Sequence, residues 1–144
     1  MNDTPFLSQA DFVRRLSSLC SRGALGGIPR DEIDQHILMK SAVLMIGEPG
    51  PYNEQEINER LQAWITQVCP IQRFDRVTLR RWLVDSGYLE RSRDGSGYQR
   101  TQPGPRPQFF DPAIDQVDVP AVVQAAREEV ARRKQAYLEK SKGD

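Results

Sequence analysis

The strongest structural signal in this sequence is a helix that runs straight into a short hairpin, just past the midpoint of the chain. Asp75 is a favourable N-cap, and Gly87 can adopt the left-handed conformation that ends a helix. Between them, Leu79, Trp82 and Leu83 recur at helical spacing and predict one apolar face. The other faces carry arginines, so the segment predicts an amphipathic helix with an apolar back and a basic front.

Two short runs follow this helix and flank Asp94-Gly95. The predicted strands are 88–92 and 97–101. Asp-Gly between two such runs is a strong hairpin signal, because glycine takes a positive φ without penalty. A two-residue loop at Asp94-Gly95 would pair Arg91 with Tyr98. A basic helix followed at once by a hairpin predicts the reading helix and wing of a winged helix-turn-helix.

Apolar periodicity and caps predict four more helices around this unit. They are 9–24, capped by Ser8; 30–46; 54–68, opened by a capping box of Asn53 and Glu56; and 119–140, capped by Asp118. The 30–46 helix has the widest apolar coverage, so we expect it to be the most buried. Tyr52 is expected to extend the hairpin sheet, and residues 1–7 are expected to form a frayed lead.

The predicted fold is mainly α with a small β-hairpin: a winged helix-turn-helix-like domain plus a C-terminal helix. The domain spans residues 8–101, and a proline-rich linker follows over 102–118. Prolines keep the linker extended up to Ala113, and Phe109-Phe110 is expected to pin it to the domain. The last helix, 119–140, carries a narrow apolar stripe that suits docking on the body or formation of a homodimer.

The charge is balanced overall but unevenly distributed. The chain has 20 basic and 20 acidic residues, so no global excess demands a polyanionic partner. Residues 73–106 nevertheless hold eight arginines against four acids. The basic excess therefore lies on the predicted reading helix, on the hairpin and at the start of the linker.

Six arginines are the candidate DNA-binding residues. They are Arg76, Arg80, Arg81, Arg91, Arg93 and Arg100. The helix would enter the major groove, and the hairpin arginines would contact phosphates or the minor groove. A structural reading is favoured for two of them, since Arg81 is four residues from Asp85 and Arg91 could lie flat on Tyr98. DNA contact is the favoured reading for Arg76, Arg80 and Arg93.

Other functional classes find little support in the residues. Cys20, Cys69 and the lone His36 have neither the spacing of a metal site nor that of a disulfide framework. No nucleophile, base or phosphate-binding glycine loop stands out, so the sequence predicts no enzyme, cofactor or metal. No signal peptide or membrane-spanning run is visible, which predicts a soluble protein of a reducing cytoplasm.

Two stretches in the right order resemble a known bacterial family. The first is Tyr52-Asn53-Glu54-Gln55-Glu56-Ile57-Asn58, and the second runs from Asp75 through Leu79-Arg80-Arg81, Leu83-Val84-Asp85-Ser86-Gly87 and Leu89-Glu90-Arg91 to Gly97-Tyr98. They resemble the bacterial domain of unknown function 2087, over about residues 28–100. That family occurs alone or appended to ArsR-type winged-helix repressors, and its members are commonly labelled transcriptional regulators. The resemblance implies a winged-helix-like fold and carries over no ligand or catalytic residue.

The sequence thus leads to two functional hypotheses. The first is a non-enzymatic module that binds double-stranded DNA or regulates transcription. The alternative is a winged helix that binds another protein and no DNA. Geometry distinguishes the two hypotheses. If Arg76, Arg80 and Arg93 share one exposed face that is free of carboxylates, DNA binding is favoured. Neutralisation of that face by Glu54, Glu56 and Glu90, or its burial under the last helix, favours protein interaction.

Overall fold

A computed structural model describes residues 6–142, which form five α-helices, one 3-10 helix and one two-stranded antiparallel sheet. In chain order these are α1 (Gln9–Cys20), α2 (Glu32–Ile46), α3 (Glu54–Gln67), α4 (Arg76–Asp85), β1 (Leu89–Arg91), β2 (Tyr98–Arg100), the 3-10 helix (Pro112–Gln116) and α5 (Val119–Lys142). The fold is therefore mainly α with a small hairpin and a C-terminal helix, as predicted.

The middle of the chain consists of α2, α3 and α4 followed by the hairpin. Tyr52 lies between α2 and α3 and exchanges two backbone hydrogen bonds of 2.8 Å with Tyr98 of β2, so it adds a one-residue third strand to the hairpin. This confirms the expectation for Tyr52. Side-chain caps open α1, α3, α4 and α5 at the predicted residues, including the capping box of Asn53 and Glu56 at α3. α2 begins at Glu32 and not at residue 30, because Asp31 caps it.

The core lies where α2 crosses the other helices. Buried residues of α2 outnumber those of any other described helix, which confirms its predicted position. Its one buried polar side chain, Ser41, accepts a 2.8 Å hydrogen bond from the Trp64 indole and donates to the Leu38 carbonyl. Trp82, predicted on the buried face of α4, is only half-buried and packs edge-on against Phe74.

The N-terminal region differs from its prediction in two places. α1 ends at Cys20 and not at residue 24, because Leu25 instead forms an extended bridge with Ile71. Gly23, with φ of 98°, reverses the chain between helix and bridge. Leu7 is buried and paired with Phe110, so the expectation of a frayed lead is wrong there. Residues 1–5 of that lead lie outside the described part of the chain.

The proline-rich segment is held against the body by its aromatic pair. Phe110 is buried, and Phe109 stacks on Phe6, which confirms the predicted pinning. The segment is less irregular than expected, since the 3-10 helix begins at Pro112 under an Asp111 cap. The first half of α5 then packs on α1 and α2, while residues 131–142 are exposed on every side.

Candidate nucleic-acid interface

The position of α4 is fixed by its cap and by two buried leucines. The Asp75 carboxylate accepts hydrogen bonds from the Thr78 amide at 2.8 Å and from its hydroxyl at 2.9 Å. These bonds hold the pKa of Asp75 below its ordinary value. Leu79 and Leu83 are fully buried, and Gly87 with φ of 85° ends the helix as predicted. The remaining side of α4 faces solvent beside the hairpin.

Arg80 lies beneath this surface and connects three elements. Its side chain is only 16% exposed and donates a 2.7 Å hydrogen bond to the Asn58 side chain of α3. Its guanidinium carbon lies 5.0 Å from the centroid of the Tyr98 ring, and one nitrogen is 3.6 Å from Glu54. Arg80 therefore braces α4 against α3 and the hairpin, with little of its charge at the surface. The shared, carboxylate-free face of Arg76, Arg80 and Arg93 that would favour DNA is not formed, because Arg80 lies inward beside Glu54.

Four of the six candidate arginines are exposed. They are Arg76 and Arg81 on α4, and Arg91 and Arg93 on the hairpin. Arg76 makes one long contact of 3.5 Å with Gln62. Within residues 6–142, no carboxylate lies within ion-pair distance of these four, so the local pair of Arg81 with Asp85 does not form.

The hairpin has the predicted pairing and a longer loop. Arg91 pairs with Tyr98, as expected, and Ser92 donates its amide to the Gly97 carbonyl. That bond leaves residues 93–96 as the loop, so the prediction of a two-residue loop is wrong. Asp94 explains the wider turn, because one of its oxygens accepts from both hydroxyls of the flanking serines and from the Ser96 amide.

A shallow groove of about 190 Å³ separates α4 from the hairpin. Its lining includes Val77, Arg81 and Val84 on one side and Arg91 and Tyr98 on the other. Arg91 does not lie on the Tyr98 ring, which Arg80 occupies. Instead, its guanidinium covers Gly95, where an added Cβ would lie 3.1 Å from one nitrogen. The groove thus carries apolar contacts from Val77 and Val84, and its charged lining is made of arginines together with the carboxylate of Asp85.

Arg100 is separated from this cluster. It donates to the Gly47 carbonyl and lines a different cavity, with Lys40 and Asp115. Burial lowers the pKa of its guanidinium, while the nearby Asp115 opposes that shift. The structure therefore brings Arg80, Arg81 and Arg91 to one groove, with Arg93 beside Arg91 on the hairpin, and leaves Arg76 at the α3 side and Arg100 apart. Periodicity could not reveal this, because Asp115 lies in the linker, far along the chain.

The exposed face of α3 beside α4 is acidic. Glu54, Gln55 and Glu59 form an open trough with Arg76 at its edge. Glu56 closes the capping box by accepting from the Asn53 amide at 2.9 Å, which accounts for it without chemistry. The arginine surface is thus bordered by carboxylates along α3. The last helix does not cover it, since α5 packs on α1 and α2.

Residues 6–142 contain neither a metal-binding cluster nor a membrane-spanning helix. No three His, Cys, Asp or Glu side chains converge in a way that could hold a metal ion. In the same part of the chain, no helix is both long and apolar enough to span a bilayer. The single histidine, His36, is half-buried and shares a 2.7 Å hydrogen bond with the Tyr88 hydroxyl.

Comparison with known proteins identifies the family. The sequence profile described as "Uncharacterized protein conserved in bacteria (DUF2087)" matches residues 24–100, which is more than half of the chain. No curated protein and no solved structure matches. The matched region contains α2, α3, α4 and the hairpin and leaves out α1 and α5. The chain therefore belongs to this family of uncharacterized bacterial proteins, as its two motifs indicated.

Proposed function

We propose that this protein is a non-enzymatic winged-helix module that binds double-stranded DNA and regulates transcription. The observation that carries the proposal is the cluster of exposed arginines around the α4–hairpin groove. Arg81, Arg91 and Arg93 are exposed and form no ion pair within residues 6–142. Guanidinium groups without internal partners are free to neutralise phosphates.

The arrangement suggests a division of roles between the inner and the outer arginines. Arg80 holds α4 at a fixed angle to the hairpin, through Asn58 and Tyr98. α4 would enter the major groove with Val77 and Arg81 toward the base edges. The hairpin arginines would meet the phosphates beside it. Affinity would then be dominated by counterion release and would fall steeply with salt.

The test is a salt titration of binding to random-sequence duplex DNA. Arg81→Gln, Arg91→Gln and Arg93→Gln should each weaken binding, and each should flatten the slope of log K against log salt by about one unit. Arg132→Gln is the control, because Arg132 is an exposed arginine on α5, away from the groove, where it pairs with Glu129. Absence of measurable affinity at low salt, or equal effects of all four variants, would reject the proposal.

Protein interaction is the second candidate, and the acidic face of α3 is the observation that favours it. Glu54 and Glu59 border the arginine surface and would lie near phosphates of a docked duplex. A basic protein surface would meet them favourably and could cover Val77, which is 39% exposed. Glu59→Gln separates the candidates: tighter DNA binding is expected if α3 faces the duplex. Absence of DNA binding with an intact fold leaves protein interaction.

We also propose that residues 131–142 of α5 mediate self-association. Tyr137, 72% exposed, lies on the helical face that buries Val119 and Val123 nearer the body. A second copy would continue that packing, and a dimer would present two α4 helices to two half-sites. Tyr137→Glu should then lower the sedimentation coefficient, whereas Gln135→Glu on another face should not. A wild-type monomer at high concentration would contradict this.

A role on DNA would place the protein in the bacterial cytoplasm. Cys20 and Cys69 are both buried and unpaired, which is compatible with a reducing compartment.

A further inference from the structure

A second cavity, of about 250 Å³, lies on another side of the molecule, between α2 and the proline-rich segment. Its apolar wall is formed by Val43, Phe110 and several prolines. Its polar lining comes from Lys40, Arg100, Thr101 and two carboxylates, Asp111 and Asp115. The Asp111 carboxylate is occupied by the amides of Ala113 and Gln9, so Asp115 is the one that faces the cations. Two cationic side chains thus share a mostly apolar enclosure that the α4 surface does not include.

Lys40 has a defined position in this cavity. It is only 15% exposed, and its ammonium nitrogen lies 2.8 Å from an Asp115 oxygen and 5.4 Å from the centroid of the Phe110 ring. The Asp115 carboxylate also acts on the charge of Arg100. One solvent-facing carboxylate therefore serves two cations, and it comes from the 3-10 helix and not from the body of the fold.

Thr101 supplies an unused donor next to these cations. Its backbone amide donates to the Tyr88 carbonyl at 3.2 Å. Its hydroxyl oxygen is buried and has no hydrogen-bond partner in the part of the chain that the structure describes. Buried hydroxyls are normally paired, and an unpaired one raises the free energy of the folded state. The hydroxyl is closed off from the open space of the cavity, so a ligand oxygen would bond to it only after the Thr101 side chain turns toward that space. No existing partner would be displaced by that turn.

We propose that this cavity binds a small organic carboxylate with a compact apolar body. The ligand carboxylate would lie between Lys40 and Arg100, where it competes with Asp115, and the Thr101 hydroxyl would turn to donate to it. The apolar body would pack on Val43 and Phe110. A volume of 250 Å³ equals that of about eight water molecules, which suits one ring with one carboxylate. This site is independent of the proposed DNA surface.

Calorimetric titration of the full chain with benzoate tests the proposal. Benzamide, which has the ring without the charge, and inorganic phosphate, which has charge without an apolar body, are the comparison probes. Benzoate should bind saturably with a dissociation constant at or below about 1 mM, and both comparison probes should bind roughly tenfold more weakly or not at all. No saturable benzoate binding, or equal binding of benzamide, overturns the proposal.

Variants then locate the site. Lys40→Met should weaken benzoate binding roughly tenfold, whereas Asp115→Asn should tighten it several-fold by removing the internal competitor. Thr101→Val should weaken binding without lowering the thermal midpoint of the free protein, since the valine removes an unpaired hydroxyl. Lys134→Met, on the exposed part of α5, should change nothing.

Asp115→Asn keeps the test decisive if Lys40→Met fails to fold, because Asp115 is on the surface. Unchanged or weaker benzoate binding by Asp115→Asn overturns the proposal. The DNA titration is a separate measurement, so its failure would leave these outcomes unaffected.

Discussion

Arginines have opposite roles in two regions of this molecule. Where α5 meets the ends of α1 and α3, Arg127 donates to the carbonyls of Cys20, Gln67 and Val68 at 3.3, 3.1 and 2.8 Å. On the α4–hairpin face, Arg81 and its exposed neighbours meet no such acceptor among residues 6–142. The same side chain ties elements together in one region and projects into solvent in the other.

The difference comes from the acceptors within reach. The last carbonyls of a helix have no partner inside it, and a guanidinium can satisfy several at once. The C-terminal ends of α1 and α3 offer such carbonyls to α5. The outer side of α4 offers only its own side chains. An arginine there contributes little to stability and keeps its charge available for a partner.

The largest expected effect is at the α5 junction. Arg127→Met keeps the apolar stem but leaves carbonyls of two helices without their donor, so the free energy of unfolding should fall by roughly 2 kcal/mol. Amide exchange should accelerate over residues 119–130. Denaturant unfolding measures the first quantity, and Arg132→Met, an exposed arginine on the same helix, is the control. If both variants lost the same free energy of unfolding, Arg127 would contribute no more than an exposed arginine. The distinction between the two regions would then be lost.

A smaller effect is expected inside the α4–hairpin region itself. Arg80→Met loses the bond to Asn58 and the contact with the Tyr98 ring, which should cost roughly 1–2 kcal/mol. Arg81→Met, one residue along, should stay within about 0.5 kcal/mol of wild type. Urea unfolding of the two variants under the same conditions measures the contrast. A destabilising Arg81→Met would show that the outer arginines are structural too.

Local chemistry made much of this fold predictable. Each helix cap named from the sequence is a hydrogen bond between a side chain and an amide two or three residues away, as at Ser8, Asn53, Asp75 and Asp118. The pairing of Arg91 with Tyr98 follows from the Asp-Gly turn signal. The prediction of a two-residue loop was wrong because Asp94 also accepts hydrogen bonds from its flanking serines. These bonds stabilise a wider turn than Asp-Gly alone indicates.

The roles of individual arginines depend on contacts that sequence spacing does not contain. Arg80 and Arg81 are adjacent on the basic front of α4, yet only Arg80 meets Asn58, 22 residues earlier, and Tyr98 on the hairpin. The cavity was missed for the same reason, since Lys40 and Asp115 meet only after the proline-rich segment folds back. Thr101 was predicted as the last residue of the second strand and lies just after β2, and no motif in the sequence indicated a role in this cavity.

The single histidine extends the comparison to pH. Burial, assisted by Arg106, lowers the pKa of His36, while Glu32 opposes the shift. The unfolded chain therefore binds a proton more readily, and stability is lost as pH falls below about 6.5. With one histidine in the chain, thermal midpoints between about pH 7 and pH 5.5 report on His36 alone. His36→Gln should flatten the pH dependence of the thermal midpoint. An unchanged slope would mean that another group causes this dependence.

The smallest effect is expected at the hairpin tip, where a charged group faces solvent and bonds only to its neighbours. Bonds from Ser96 and then Ser92 hold the pKa of Asp94 at about 2. Carbon-detected NMR titration should give this value, and Ser96→Ala should raise it toward the ordinary aspartate value more than Ser92→Ala does. Since the carboxylate is fully exposed, neither variant should measurably change the thermal midpoint at neutral pH. A clear fall in the thermal midpoint would mean that the hairpin tip stabilises the fold, as Arg127 and Arg80 do. Charged groups that face solvent and those that face the protein would then not differ in the way that their contacts indicate.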